Sequence, residues 1–163
     1  MKLLLFALVL GTAAFGAPVE KLTDFELADQ NLKTRIYRFP KSKVTVMTVA
    51  DHKGSGELAP WIQRLHDRYQ KKIDIDGVAD VSKIPKPLHA IFRAAFRKQL
   101  AYSVMLDWDG TVVKQFAYKK GVANFYVIDR DGRVLNQITG PISDAAEAKL
   151  THEIDRAVTG TRQ

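Results

Sequence analysis

The sequence predicts an α/β fold: a central mixed sheet with helices on both faces and a β-hairpin extending it at the N-terminus. Three observations carry this. Val44 to Ala50 is an uncharged run rich in β-branched residues, the composition of a strand buried on both sides. Stretches with apolar residues at helical spacing alternate with strand-like stretches. Near the end, two strand-like segments flank Arg130-Asp131-Gly132, a hairpin turn. Alternation implies a mainly parallel sheet, and the late hairpin adds antiparallel strands to its end. The chain of 163 residues is about one domain's worth.

The elements follow in order. Phe25 to Leu27 and Thr34 to Phe39 alternate around Asp29-Gln30-Asn31, an N-terminal hairpin. Pro40 to Lys43 is a loop. After the Val44 to Ala50 strand, Leu58, Trp61, Ile62, Leu65, His66 and Tyr69 share one helical face, placing His66 at the core's edge. Ile73 to Val81 reads as a strand interrupted by Gly77. Pro85 and Pro87 punctuate the chain before a helix from Leu88 to Leu100, whose Ile91, Phe92 and Phe96 are expected against the sheet. Tyr102 to Leu106 is a short strand and Thr111 to Tyr118 is expected to be helical. Asn124 to Asp129 and Val134 to Thr139 form the late hairpin. Ser143 caps the last helix, with Ala146, Leu150, Ile154 and Val158 facing inward.

At the front, Lys2, the apolar stretch Leu3 to Leu10 and the small residues around Ala14-Phe15-Gly16 have the pattern of a secretory signal. The expected organisation is a signal peptide over 1–16 and one domain over 17–163. The expected location is exported, periplasmic or secreted. The apolar stretch is shorter than the roughly 20 residues a membrane span needs. There is no cysteine, which removes disulfides, thiolate metal sites and cysteine nucleophiles from consideration. The net charge of +7 suits an acidic protein, a small anionic ligand or weak contact with an anionic membrane surface. Nothing resembles an aromatic-basic nucleic-acid motif, so no nucleic acid is expected.

Two segments, Phe25-Glu26-Leu27-Ala28-Asp29 and Phe125 to Val134, together with Pro60-Trp61-Ile62-Gln63-Arg64-Leu65, give the chain a resemblance. It is similar to the exported thioredoxin-like proteins, in the peroxiredoxin and thiol–disulfide oxidoreductase branch. The resemblance implies a thioredoxin-like fold and locates its reactive junction at Asp51-His52-Lys53-Gly54-Ser55-Gly56-Glu57. Counted back from Glu57, Asp51 and Gly54 stand where the oxidoreductases carry two cysteines, and Gly54 where the peroxidases carry one. Ala123 stands near the family's cis-proline. Disulfide exchange and peroxide reduction both begin at a thiolate, so this chain has neither activity. Gly54-Ser55-Gly56 at a helix start could instead offer free N–H groups to an anion, with His52 and Lys53 adding positive potential. The alternative is a glycine turn in which Ser55 caps the helix.

A second pattern competes. Val104 to Val113 contains Asp107-Trp108-Asp109-Gly110-Thr111 and resembles the first motif of haloacid-dehalogenase-type phosphatases, where paired aspartates act as nucleophile, acid and magnesium ligands. Only 52 residues follow Thr111, and Asp-x-Asp-Gly recurs at Asp74 and Asp129, which favours turn chemistry. His52, His66, His89 and His152 are too scattered to suggest a metal site, and no metal or cofactor is expected. The leading expectation is a non-catalytic binding or accessory module whose candidate residues are Asp51, His52, Lys53, Gly54, Ser55, Asp107, Asp109 and Ala123. The alternative is a metal-dependent enzyme using Asp107 and Asp109. A third reading places the basic Leu88 to Leu100 helix on a membrane surface.

Overall fold

In the computed structural model, residues 20–160 are described. The expected signal segment and its cleavage site lie outside them. Five strands form one sheet in the order β5-β4-β3-β6-β7, where β3 is Thr45–Ala50, β4 Asp74–Asp80, β5 Met105–Asp107, β6 Asn124–Ile128 and β7 Val134–Thr139. β3, β4 and β5 run parallel, and β6 and β7 are antiparallel additions. A separate hairpin pairs β1, Phe25–Ala28, with β2, Thr34–Tyr37. All six residues of β3 are buried, as their β-branched, uncharged composition requires for the middle of a sheet.

The period-two alternation of each strand separates two cores. On one face, Val44, Val46, Phe125 and Val127 meet Trp61, Leu65, Leu150 and Ile154. These come from α1, Leu58–Tyr69, and α3, Asp144–Thr159. Ser143 caps α3 as expected, its hydroxyl accepting from the Ala146 N–H at 3.2 Å. On the opposite face, Met47, Val49, Val78 and Tyr126 are covered by Phe25 and Tyr37 of the hairpin and by Val113 and Phe116. A third cluster gathers Phe96 and Leu100, at the end of α2 (His89–Gln99), around Val81, Val104 and Leu106 near the β5 edge.

Three local expectations are corrected. The segment 111–118 is not an α-helix. Only a 3-10 turn over Val113–Phe116 forms, and Ala117 takes a left-handed φ of 44° that ends it. His66 is exposed, because the apolar stripe of α1 centres on Trp61, Leu65 and Tyr69 and leaves its edge in water. α2 contains no buried residue; Ile91 and Phe92 are turned outward, and only Phe96 of the three expected residues reaches a core. No helix among the described residues is long and apolar enough to cross a membrane.

Candidate functional site

The carboxyl ends of three parallel strands carry one aspartate each: Asp51 just after β3, Asp80 ending β4 and Asp107 ending β5. A strand that stops in an aspartate supplies a short acceptor for the N–H groups of the loop that follows. All three are used this way.

Asp51 is the centre of a closed junction. Its Oδ1 accepts from the Gly54 N–H at 2.9 Å, and its Oδ2 accepts from the Gly121 N–H at 3.0 Å, seventy residues away. The Ser55 N–H donates to the Asp51 carbonyl at 3.0 Å. Glu57 makes a parallel link, its Oε2 accepting from the Ala123 N–H at 3.2 Å. The loop before β6 is held from within by Asn124. Its Nδ2 donates to the carbonyls of Lys119 and Val122 at 2.8 and 2.9 Å, and its Oδ1 accepts from the Lys119 N–H at 2.9 Å.

Gly54 explains why this loop can lie so close. It is buried, and a Cβ there would stand 2.5 Å from the Val122 carbonyl carbon and closer still to its oxygen. Both atoms are backbone, so a side chain at position 54 would have to push the loop away. Ala123 beside it is fully buried.

Two of the three N–H groups that could be offered to an anion have partners within the protein. The Gly54 and Ser55 N–H groups are consumed inside the junction rather than left free for a ligand. Ser55 does not cap the helix either; its hydroxyl donates to the His52 carbonyl at 2.8 Å, and Asp51 provides the turn's side-chain acceptor. His52, Lys53, Ser55, Lys119 and Lys120 are exposed around this closed centre. A Cβ on Gly121 would meet the Lys53 side chain at 3.5 Å, so Lys53 reaches across to the opposite loop.

Asp107 and Asp109 do not form a carboxylate pair. Asp107 is fully buried, and its Oδ2 accepts from the Val112 and Val113 N–H groups at 2.9 and 2.8 Å, capping the 3-10 turn. Its Oδ1 has no hydrogen-bond partner among the described residues. Asp109 is exposed. A nucleophile–acid pair needs both groups facing one reacting atom, and one buried and one exposed carboxylate do not meet that need. Among the described residues no three His, Asp or Glu side chains gather as metal ligands.

Asp80 and Tyr118 were not singled out from the sequence, although the rule of an aspartate at each strand end would have found Asp80. Its carboxylate accepts from the Ser82 N–H at 3.1 Å, the Ser82 hydroxyl at 2.6 Å and the Tyr118 hydroxyl. Desolvation pushes its pKa up. The Ser82 hydroxyl, Tyr118, the Ser82 N–H and the charge of Lys120 outweigh it and hold the carboxyl below its usual range. Burial, then the Asp80 hydrogen bond and charge, push the Tyr118 hydroxyl well above the ordinary phenol range.

This arrangement gives a pH prediction. A carboxyl depressed in the folded state contributes stability above its unfolded pKa of about 4 and loses it as pH falls through the folded value. Tyr118→Phe is expected to cost about 1 kcal/mol in urea unfolding near neutral pH. The gap from the parent should shrink at acid pH, once pH has fallen through the folded value of Asp80. An unchanged gap at both pH values would contradict the assignment.

At the opposite end of the parallel strands, a cavity of about 510 Å³ is lined by residues that include Arg35, Lys41, Lys43, Asp74 and Asp76. Five of its charges pair internally: Arg35 with Asp76 at 2.8 Å, and Lys41 and Lys43 with Asp74 at 3.2 and 3.7 Å, and Lys71 also lines it. The Tyr37 hydroxyl also donates to Asp76.

No family model matches this sequence, and no curated protein matches it. Solved structures do. A protein described as a thiol:disulfide interchange protein, DsbE, from Chlorobium tepidum superposes with a TM-score of 0.65 at 21% identity, covering 87% of this chain and 98% of that one. The exposed lipoprotein thioredoxin Etrx1 of Streptococcus pneumoniae gives 0.64 at 19% identity, covering 80% and 99%. Peroxidoxin BcpB of Mycobacterium tuberculosis gives 0.61 at 24% identity, covering 90% and 98%. The chain has a thioredoxin-like fold and no cysteine.

Proposed function

We propose that this cysteine-free thioredoxin-fold chain is an exported, non-catalytic binding module that meets an acidic partner through the basic rim of His52, Lys53, Lys119 and Lys120. The observation that carries this reading is the internal use of polar groups where the related folds do chemistry. Asp51 and Glu57 are tied to the facing loop, and Asp107 is buried beneath its own turn. What stays exposed at the junction is predominantly cationic. Such a surface steers and orients an acidic partner without transforming it. Export is supported by the signal-like pattern of residues 2–16 and by the likeness to an exposed lipoprotein.

The metal-dependent alternative on Asp107 and Asp109 has no geometric support, since Asp107 acts as a buried turn cap. Titration of the labelled protein with a poly-glutamate peptide is the test. Amide shifts concentrated at residues 52–53 and 119–120, weakened by Lys53→Gln with Lys120→Gln, are expected. Magnesium-dependent hydrolysis of p-nitrophenyl phosphate, abolished by Asp107→Asn, would overturn the reading.

A further inference from the structure

We propose that α2 and the loop before it form a peripheral docking surface for an anionic lipid bilayer. From Val81 to Leu106 the chain contains no aspartate or glutamate, yet it carries Lys83, Lys86, Arg93, Arg97 and Lys98. The same stretch exposes apolar side chains. Leu88 is 39% exposed, Ile91 63% and Phe92 37%, which makes half of the large hydrophobic residues exposed among those described. Scattered exposed apolar residues need no explanation, but three within five residues on one helical turn form a patch.

The way α2 is seated explains the patch. The His89 ring stacks on Trp108 at 3.8 Å, the Arg93 guanidinium lies over the same ring at 5.7 Å, and Phe96 joins the core near β5. Residues 89, 93 and 96 form one stripe of the helix, so the stripe of 88, 91 and 92 is turned away from the sheet. Lys83 and Lys86 precede the exposed apolar residues, and Arg97 and Lys98 follow them. An apolar stripe bracketed by cations with long, flexible stems is the pattern of a helix lying in the plane of a membrane interface. There the apolar groups enter the acyl boundary and the cations reach the headgroups.

The charge selects this occupant. A second copy placed face to face would oppose the same cations without an acidic residue in either stretch to offset them. The apolar side chains also stand on the outer side of a single helix, which suits a bilayer's plane, whereas a peptide helix is ordinarily received in a groove. The inference does not rest on the rim at residues 52–53 and 119–120.

Co-sedimentation of the full chain with vesicles tests it. Binding to phosphatidylserine-containing vesicles, weak binding to phosphatidylcholine alone, and release at high salt are expected. Ile91→Ser with Phe92→Ser should weaken binding at least about tenfold. Arg97→Gln with Lys98→Gln should weaken it about fivefold per charge. These variants leave residues 3–10 unchanged, so vesicle binding through that apolar stretch would persist in them and be told apart. All four positions are exposed, and circular dichroism verifies that the variants fold. In Ile91→Trp, brominated lipid should quench the new fluorophore. Equal binding by parent and variants would overturn the proposal. Binding of poly-glutamate that is lost in the same variants, without vesicle binding, would also overturn it and assign the surface to an acidic protein.

Discussion

Gly54→Cys is expected to give a destabilised protein with no disulfide reductase or peroxidase activity. The substitution returns a thiol to the position where both resembled families carry one. However, its Cβ would collide with the backbone of Val122, 2.5 Å from the carbonyl carbon and nearer to the oxygen. The carbonyl cannot rotate away freely, because the loop is held by Asp51, Glu57 and Asn124. Forcing an atom into such a contact costs about 3 kcal/mol or more. In a domain of this size that lowers the thermal midpoint by about 6–12 °C. Gly54→Ala should do the same, showing that the effect is steric rather than chemical. Gly56→Ala, where a Cβ meets nothing within 4 Å, should stay within about 0.5 kcal/mol of the parent. A Gly54→Cys protein of parental stability that reduces insulin or peroxide would mean that the loop yields and the junction is still a working redox frame.

Asp107→Ala is expected to destabilise the fold by a similar amount, about 3 kcal/mol. It strips the acceptor from two backbone N–H groups in a fully buried place, Val112 and Val113. The turn they begin delivers Val113 and Phe116 to the core beneath the sheet, so its loosening is felt beyond the loop. Asp107→Asn keeps one carbonyl oxygen for those donors but puts an amide NH2 where the unpartnered buried oxygen stands, so it should recover part of the loss. Chemical denaturation of the two variants tests the cap. Asp107→Ala of parental stability would contradict it.

The strands were legible because their period and composition are local properties. Val44 to Ala50, Asn124 to Asp129 and Val134 to Thr139 were each read to within a residue at either end. The 3-10 turn at Val113 was not, since a left-handed Ala117 leaves no mark in composition. α2 shows another limit. Helical spacing identifies one apolar face that holds Ile91, Phe92 and Phe96 but does not say whether its Ile91 edge or its Phe96 edge, beside His89 and Arg93, meets the sheet. Trp108, on a distant turn, decides it. His66 was misplaced because the stripe of α1 that meets the sheet, centred on Trp61, Leu65 and Tyr69, stops short of it.

The site was legible in position and not in purpose. Asp51, Gly54 and Ala123 do come together. That Asp51 serves as a latch depends on Gly121, and the need for glycine at 54 depends on Val122. Both partners are more than 60 residues away and are brought near only by the β3–β6 pairing.

Amide hydrogen exchange at Gly54, Gly121 and Ala123 tests the closed junction most directly. If Asp51 and Glu57 bind the two loops as described, these three amides exchange slowly, and Asp51→Ala releases Gly54 and Gly121 together. Rapid exchange of all three in the parent protein would show an open, ligand-accessible junction and contradict the account.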